Sequence, residues 1–225
     1  MNIAIFDFEG TLVDFQWQLK AALDTLYPQL DEIITQAELN RELIHTLDYC
    51  RLYNYLRREI TDPELAGETI HQVDKVFDHY DADAAQRWQL YPEVPKLLSS
   101  LKNSGWVIAL DSNVGRKALK QMFKKFSLDN YFDFTVSRND VKLLKPENEG
   151  IKKILQYFTN TAVPTLPAQT FFIGDSVTDI KTARNAGIKV AILVNGEDKT
   201  DRLRSHRPDF LINNLAELES IFSLN

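Results

Sequence analysis

Apolar and polar residues follow one another along this chain in blocks that predict buried strands and amphipathic helices. The first block, Ile3 to Phe6, is apolar throughout and ends at Asp7, with Gly10 shortly after it. Continuous apolar runs of this length, bounded by turn-forming residues, are typical of the buried strands of parallel sheets. Ligands of open α/β sheets bind beyond the carboxyl ends of the strands, so Asp7 occupies a position where chemistry is usual.

The second block, from about Asp14 to Leu90, has helical periodicity and no convincing strand. Apolar residues at helical spacing predict a first helix that ends at Tyr27-Pro28. Asp62-Pro63 predicts a further helix start, with Asp62 as the cap and Pro63 in the first turn. The block therefore predicts a small all-helical insertion of roughly three to five helices.

From Tyr91 onward, strand and helix patterns alternate. Strands are expected near 106–110, 132–136, 170–173, 188–194 and 210–212, with a loose connection at 159–167. This alternation predicts right-handed crossovers and a doubly wound parallel α/β sheet. The predicted domains are a Rossmann-like core, residues 1–13 and 91–225, and a helical cap, residues 14–90, inserted after the first strand.

Composition narrows the class of protein. The net charge of −6 gives no electrostatic case for nucleic-acid binding. The single cysteine, Cys50, excludes an internal disulfide and favours a reducing compartment. No apolar run approaches the length of a membrane span, and the first residues lack the basic start of a signal peptide. We therefore expect a cytoplasmic protein, monomeric or homodimeric, without membrane or nucleic-acid partners.

Short polar clusters follow the predicted strands or open the predicted helices. They contain Asp7 and Glu9, Ser112 and Asn113, Lys145, and Asp175 with Asp179. The carboxyl ends of parallel strands share one edge of a sheet, so these clusters can converge on one pocket. Acidic groups there would repel one another without a cation, and their oxygen atoms suit Mg²⁺. Because a carboxylate can attack phosphorus, the residue types indicate metal-assisted phosphoryl transfer through an aspartyl-phosphate.

The same clusters carry a resemblance to a known family. The segment Asp7-Phe-Glu9-Gly10-Thr11 resembles the first motif of the haloacid dehalogenase (HAD) superfamily, usually Asp-x-Asp-Gly-Thr. Three later segments of this chain resemble the second, third and fourth motifs of the family, in that order. They are Ser112-Asn113, Lys145-Pro146 and the 174–179 segment continuing to Ala186-Gly187. Pro208-Asp209-Phe210 is similar to the closing segment of phosphoglycolate-phosphatase-like members. A helical insertion just after the first motif is what the family calls a C1 cap.

The resemblance implies a role for each of these residues. Asp7 would be the nucleophile and a Mg²⁺ ligand, and Glu9 the general acid/base, with its backbone carbonyl also on Mg²⁺. Asp175 and Asp179 would complete the metal site. The residues implied to hold or line the phosphoryl group are Thr11, Ser112, Asn113 and Lys145. The implied activity is a Mg²⁺-dependent phosphatase of small phosphorylated metabolites, with phosphoglycolate as the lead substrate.

Glu9 departs from the family pattern, because most family phosphatases have Asp there, although the enolase-phosphatase branch has Glu. The extra methylene changes the reach of the carboxylate by about 1.5 Å, and misplacement on that scale can cost ~100-fold in rate. Asp111, just before Ser112, adds a further negative charge. A phosphomutase, a dehalogenase without use for the magnesium carboxylates, and a binding protein without turnover therefore remain open.

Several of these residues also have a purely structural interpretation. Asp7 suits a turn, Ser112-Asn113 suits a helix cap, and Ser176 with Asp179 forms a capping-box pattern. In the insertion, a basic and aromatic run would either line the cap over the site or form a half-buried surface helix. This run comprises Tyr49, Arg51, Tyr53, Arg57 and Arg58.

Overall fold

The computed structural model describes residues 2–160, 170–194 and 198–224, and these residues form one six-stranded sheet. The strands are β1 (Ile3–Phe6), β2 (Val107–Asp111), β3 (Phe134–Val136), β4 (Thr170–Gly174), β5 (Lys189–Leu193) and β6 (Phe210–Ile212). All neighbouring strands are parallel, in the order β3-β2-β1-β4-β5-β6. The predicted doubly wound sheet is therefore confirmed, and the crevice at its switch point lies beyond the end of β1.

Burial on both faces explains why β1 is apolar throughout. Ala4 and Phe6 belong to one buried cluster, which continues into the cap. Ile3 and Ile5 belong to a second cluster on the opposite face of the sheet. Alternate residues of a strand point to opposite faces, so a strand covered on both sides has no position left for a polar side chain.

The insertion after β1 is all-helical, as predicted. Its helices are α1 (Leu19–Gln36), α2 (Arg41–Ile44), α3 (Tyr49–Glu59) and α4 (Pro63–Arg87). Asp62 caps α4, since its side chain accepts a hydrogen bond from the Leu65 amide at 2.7 Å.

The predicted end of the first helix at Tyr27-Pro28 is wrong, because α1 continues to Gln36 with Pro28 inside it. Leu26, Leu30 and Ile34 are buried on one face of this helix, on both sides of the proline. Burying a side chain of this size contributes roughly 1.5–3 kcal/mol, and an interior proline costs about 3 kcal/mol. Packing of the apolar face therefore overrides the local signal.

Helices alternate with the remaining strands of the core. They are α5 (Val94–Asn103), α6 (Arg116–Phe126), α7 (Glu149–Asn160), α8 (Val177–Ala186), α9 (Thr200–Ser205) and α10 (Glu217–Ile221). The loose connection predicted at 159–167 lies outside the described residues beyond residue 160. Within the described ranges, none of the helices combines the length and hydropathy needed to cross a membrane.

The two backbone connections between core and cap run side by side. The Asp14 amide donates to the Gln89 carbonyl at 3.1 Å, and the Gln89 amide donates to Asp14 Oδ1 at 2.7 Å. The Tyr91 amide donates to the Leu12 carbonyl at 3.0 Å. These hydrogen bonds lie where the sequence predicts the boundaries between core and cap, residues 1–13, 14–90 and 91–225. The domain boundaries themselves stay a prediction.

Asp111, the last residue of β2, lies beneath α7. Asp111 is 4% exposed, and a Cβ atom at Gly150 would lie 2.1 Å from Asp111 Oδ1. In the described structure Asp111 Oδ2 has no hydrogen-bond partner. Burial raises the pKa of this carboxyl to about 7, although nearby Lys145 lowers it. The extra negative charge noted in the sequence is thus a buried carboxyl on the α7 side of the sheet.

We predict that Asp111→Asn stabilises the protein at about pH 8. The folded-state pKa of about 7 lies above the ordinary value, so the stabilising contribution of the protonated carboxyl is present below about pH 4 and is lost as the pH rises through about 7. Asparagine does not ionise, so the gain in free energy of unfolding should grow over this range to at most about 4 kcal/mol. Thermal denaturation between about pH 5 and pH 8 measures it.

The matched control is Asp129→Asn, which changes an exposed carboxylate. Its effect on the melting temperature should vary little with pH. A gain for Asp111→Asn that is the same at every pH would contradict a buried ionisation at this position.

Candidate active site

A cavity of about 280 Å³ opens beyond the carboxyl end of β1, between core and cap. Its core wall contains the residues predicted from the strand-end clusters, Asp7, Glu9, Ser112, Asn113, Lys145, Asp175 and Asp179. Its cap wall contains Phe15, Trp17, Leu19, Asp48, Tyr49 and Cys50. Residues far apart in sequence therefore meet in one place, as the parallel sheet requires.

Thr11 is the exception among the predicted site residues. It is fully buried and is not among the residues that line the cavity. In the described structure its hydroxyl has no hydrogen-bond partner. A role for Thr11 beside the phosphoryl group stays a prediction.

The cavity floor concentrates negative charge. Asp7, Asp175 and Asp179 each offer a carboxylate oxygen within 4.8 Å of the others. Lys145 Nζ lies 2.9 Å from Asp7 Oδ1 and 2.7 Å from Asp179 Oδ1. One ammonium leaves this carboxylate group with an excess of negative charge, and the donor atoms are all oxygen. Such a set fits Mg²⁺, a hard cation that binds carboxylates.

Two glycines allow the backbone to approach these carboxylates closely. Gly10 has a φ of +78°, and a Cβ atom there would lie 2.1 Å from Asp175 Oδ2. A Cβ atom at Gly174 would lie 2.5 Å from the Cβ of Asp179. Any larger residue at either position would displace a carboxylate from the cavity floor.

Asp179 forms the capping box that its sequence pattern suggests, whereas its role at a metal ion stays a prediction. Its Oδ2 accepts hydrogen bonds from Ser176 Oγ at 2.6 Å and from the Ser176 amide at 3.1 Å, which completes the capping box of α8. Its Oδ1 binds the Lys145 ammonium. Asp179 therefore orients both Lys145 and the turn after β4 that carries Asp175.

Burial and charge act in opposite directions on Asp7 and Lys145. Burial raises the pKa of Asp7 to about 6, although the Lys145 ammonium lowers it. Burial alone would lower the pKa of Lys145, but the carboxylates of Asp179 and Asp7 raise it above its ordinary value. Lys145 consequently remains a cation beside the carboxylates.

The Glu9 carboxylate is held by the segment that leads into the cap. Its Oε1 accepts hydrogen bonds from the Trp17 amide at 2.7 Å, the Trp88 indole at 2.7 Å and the Gln16 amide at 2.8 Å. Burial raises the pKa of Glu9 to about 8 in spite of these bonds. An aspartate would be shorter by about 1.5 Å, so the extra methylene of Glu9 is what reaches these donors.

Ser112 and Asn113 follow β2 and have different partners. Ser112 is 3% exposed, and its Oγ accepts a hydrogen bond from the Val114 amide at 3.3 Å. Asn113 Oδ1 accepts from the Lys145 amide at 3.1 Å, and its Nδ2 donates to Cys50 Sγ of the cap at 3.0 Å. The cap residue of α6 is Gly115, so the interpretation of Ser112-Asn113 as the helix cap is wrong.

The basic and aromatic run of α3 contributes Tyr49 alone to the cavity. Tyr53 is buried and stacks on Phe77 inside the cap. Arg51 pairs with Asp48, and Arg58 pairs with Glu147. Both sequence interpretations of this run are therefore partly correct.

Sequence reasoning missed other residues that line the cavity, namely Phe15, Trp17, Leu19, Asp48, Asp198 and Arg202. Trp17 follows the first motif closely, and that proximity is a signal that could have placed it near the site. Asp48 precedes Tyr49 at the start of α3 and caps that helix. Asp198 precedes α9 and Arg202 lies in it, and this short segment has no clear periodicity in the sequence. Only tertiary structure brings them to the cavity.

Comparison with known proteins gives relatives that match nearly the whole chain. A protein named phosphoglycolate phosphatase from Aquifex aeolicus is 26% identical over 219 residues, which cover 97% of this chain and 95% of that protein. The pyrophosphatase PpaX of Bacillus mycoides is 24% identical, covering 99% of this chain and 97% of that protein.

A solved structure, described as a predicted phosphatase from Clostridium acetobutylicum, has the same fold. It aligns with a TM-score of 0.66 at 20% identity and covers 99% of each chain. Residues 4–193 of this chain match the sequence model of the haloacid dehalogenase-like hydrolases. That span includes the helical cap and every residue of the predicted site. The chain therefore belongs to the haloacid dehalogenase-like hydrolase family.

Proposed function

We propose that this protein is a Mg²⁺-dependent phosphatase that hydrolyses phosphomonoesters of small metabolites through an aspartyl-phosphate on Asp7. The observation that carries the proposal is the convergence of Asp7, Lys145 and Ser112 with two further carboxylates in one cavity. The relatives named phosphoglycolate phosphatase and pyrophosphatase support phosphate chemistry. A cytoplasmic location and a monomeric or homodimeric state stay predictions.

The donor set described above is suited to hold Mg²⁺. The side chains of Asp7 and Asp175 and the carbonyl of Glu9 would bind the ion. Asp179, whose two oxygens already bind Lys145 and Ser176, would support it directly or through water. When bound, the ion supplies positive charge that stabilises the negative phosphoryl oxygens.

In the first half-reaction, a carboxylate oxygen of Asp7 attacks phosphorus. A bond forms between this oxygen and phosphorus as the bond from phosphorus to the leaving alcohol breaks. Lys145 and Ser112 hold the phosphoryl oxygens during the transfer. Glu9 donates its proton to the departing oxygen, so that the alcohol leaves neutral.

In the second half-reaction, Glu9 works in the opposite direction. Its carboxylate takes a proton from water while the water oxygen bonds to phosphorus and the bond to Asp7 breaks. Inorganic phosphate leaves, and Asp7 and Glu9 return to their starting forms. The same side chain thus needs a fixed position that serves both steps, and its three hydrogen bonds through Oε1 provide one.

The shape of the cavity supports a small leaving group. Phe15, Trp17 and Tyr49 form much of the cap wall. Besides Lys145, the basic residue among the described lining residues is Arg202, which pairs with Asp198 at the cavity edge. A short acid such as phosphoglycolate remains the lead substrate, with Arg202 as the group that would meet its carboxylate.

We expect inorganic phosphate release from small phosphomonoesters that requires both Mg²⁺ and Asp7. Asp7→Asn removes the nucleophile with little change in size and should reduce turnover to background. The measurement is phosphate release from a panel of phosphorylated metabolites, phosphoglycolate included, with Mg²⁺ and with chelator. Equal rates for the wild type and Asp7→Asn on every substrate would refute the phosphatase. Isomerised sugar phosphate without phosphate release would indicate a mutase instead.

Glu9 variants separate the two half-reactions. Glu9→Gln should lower steady-state turnover of alkyl phosphates by roughly 10²–10⁴-fold, because general acid and base are both lost. p-Nitrophenyl phosphate needs no acid, because p-nitrophenolate leaves as a stable anion, so Glu9→Gln should release p-nitrophenolate in a burst that matches the enzyme concentration and then stall. Rapid-mixing absorbance with p-nitrophenyl phosphate measures this burst.

Glu9→Asp is the matched control, since it keeps the carboxylate and shortens the side chain. It should lower turnover less than Glu9→Gln does and should not stall after the first turnover, because the retained carboxylate can still activate water. A catalytically silent binding protein would show no burst with any variant, the wild type included.

A further inference from the structure

An ion-pair cluster centred on a buried arginine joins the cap to the core outside the cavity. Arg138, in a short 3-10 helix (Arg138–Asp140) after β3, is 1% exposed. Its guanidinium binds three carboxylates of α4, with Nε 3.0 Å from Asp74 Oδ1, Nη1 2.8 Å from Asp81 Oδ2, and Nη2 against Asp78. Residues three and four apart share one face of a helix, so α4 presents all these carboxylates to a single arginine.

The same cluster holds the loop that carries Ser112. Arg138 Nη1 donates to the Asn113 carbonyl at 3.1 Å, and the Gly115 amide donates to Asp81 Oδ2 at 2.9 Å. A Cβ atom at Gly115 would lie 2.7 Å from both Arg138 Nη2 and Asp78 Oδ1. The loop after β2 therefore packs directly on the ion pairs, with no room for a side chain between them.

Asp81 has a second attachment that leads to Glu9. Its Oδ1 accepts a hydrogen bond from the Trp17 indole at 2.9 Å. The backbone amide of Trp17 donates to Glu9 Oε1 at 2.7 Å. Contacts thus run from Arg138 through Asp81 and Trp17 to the acid/base, whereas Asp74 hydrogen-bonds to Arg138 at the edge of the cluster.

The charges of the cluster indicate that its ion pairs fix the arrangement of the groups they join and add little to stability. Burial raises the pKa of Asp81, and the Arg138 guanidinium lowers it. Burial alone would lower the pKa of Arg138, but Asp81, Asp74 and Asp78 raise it. Taking such groups out of water is costly, so a buried ion pair adds little stability over apolar packing. What it does provide is one defined arrangement of the groups that it joins.

We propose that Arg138 and Asp81 are positioning residues, which fix the position of the acid/base Glu9 through the cap. They hold α4 against the Asn113–Gly115 loop in the arrangement in which Trp17 presents its amide to Glu9. Neither residue lines the cavity, so their effect on substrate binding is indirect. The kinetic consequence rests on the proposed function, whereas the structural consequence does not.

The test compares two variants that each remove one carboxylate from Arg138. Asp81→Asn has one accepting oxygen, so it cannot accept from the Trp17 indole at one end and from Arg138 and the Gly115 amide at the other. It should lower kcat about tenfold or more with KM within about twofold. Asp74→Asn loses only its bond to Arg138 and should leave both constants within about twofold. Phosphate release from the best alkyl phosphate of the panel, with Mg²⁺, gives these constants, because both steps with such a substrate depend on Glu9.

A double-mutant cycle tests whether Arg138 acts through Asp81. Arg138→Gln should lower kcat in the wild type and in Asp74→Asn by similar factors, but have a much smaller effect in Asp81→Asn. Equal factors in all three backgrounds would overturn the proposed order of contacts.

Hydrogen exchange provides a readout that does not depend on turnover. Asp81→Asn should speed amide exchange at Trp17 and Gly115 relative to the wild type, while Asp74→Asn should not. If the protein proves to have no phosphatase activity, this comparison still decides the structural part of the proposal. Unchanged exchange at both amides in Asp81→Asn, with only a lower melting temperature, would make the cluster a structural ion pair and overturn the proposal.

Discussion

Repulsion among the carboxylates beyond β1 and β4 is the constraint on which the rest of this structure depends. Asp7, Asp175 and Asp179 are held within a few ångströms of one another, and Lys145 compensates only part of their charge. The sheet topology, the glycines that leave room for these carboxylates and the capping box of α8 all serve to keep them there. A cation would relieve this repulsion, and the proposed Mg²⁺ would also make room for an anionic substrate beside the carboxylates.

The residues on the core wall of the cavity could be predicted from the sequence because each follows a recognisable strand or opens a helix. Asp7, Ser112 and Asp175 stand at strand ends, so the rule for parallel sheets brings them together. Thr11 is part of the same motif, but it is fully buried and is not among the residues that line the cavity. The strand-end rule predicts which residues come close in space, whereas the direction of each side chain depends on the packing around it.

The rest could not be predicted because it depends on tertiary packing. Pro28 predicts the end of a helix locally, but α1 continues past it because the buried apolar face of the helix extends on both sides of the proline. Arg138 and the carboxylates of α4 are ordinary charged residues in the sequence, and only the packing of the cap on the core brings them together and buries Arg138 with Asp81. Likewise, the extra methylene of Glu9 suggested that its carboxylate would be misplaced. In the structure, the Trp17 amide and the Trp88 indole lie at hydrogen-bond distance from that carboxylate.

The pairing of Asp14 with Gln89 has a consequence for how such a protein can evolve. Because the cap begins and ends at adjacent points of the core, its helices can be lengthened, shortened or exchanged without changing the register of any strand. Selection for a new substrate can then act on the cap while the reacting groups stay unaltered. The Arg138 cluster limits this freedom, since a replacement cap would need its own carboxylates facing the same arginine.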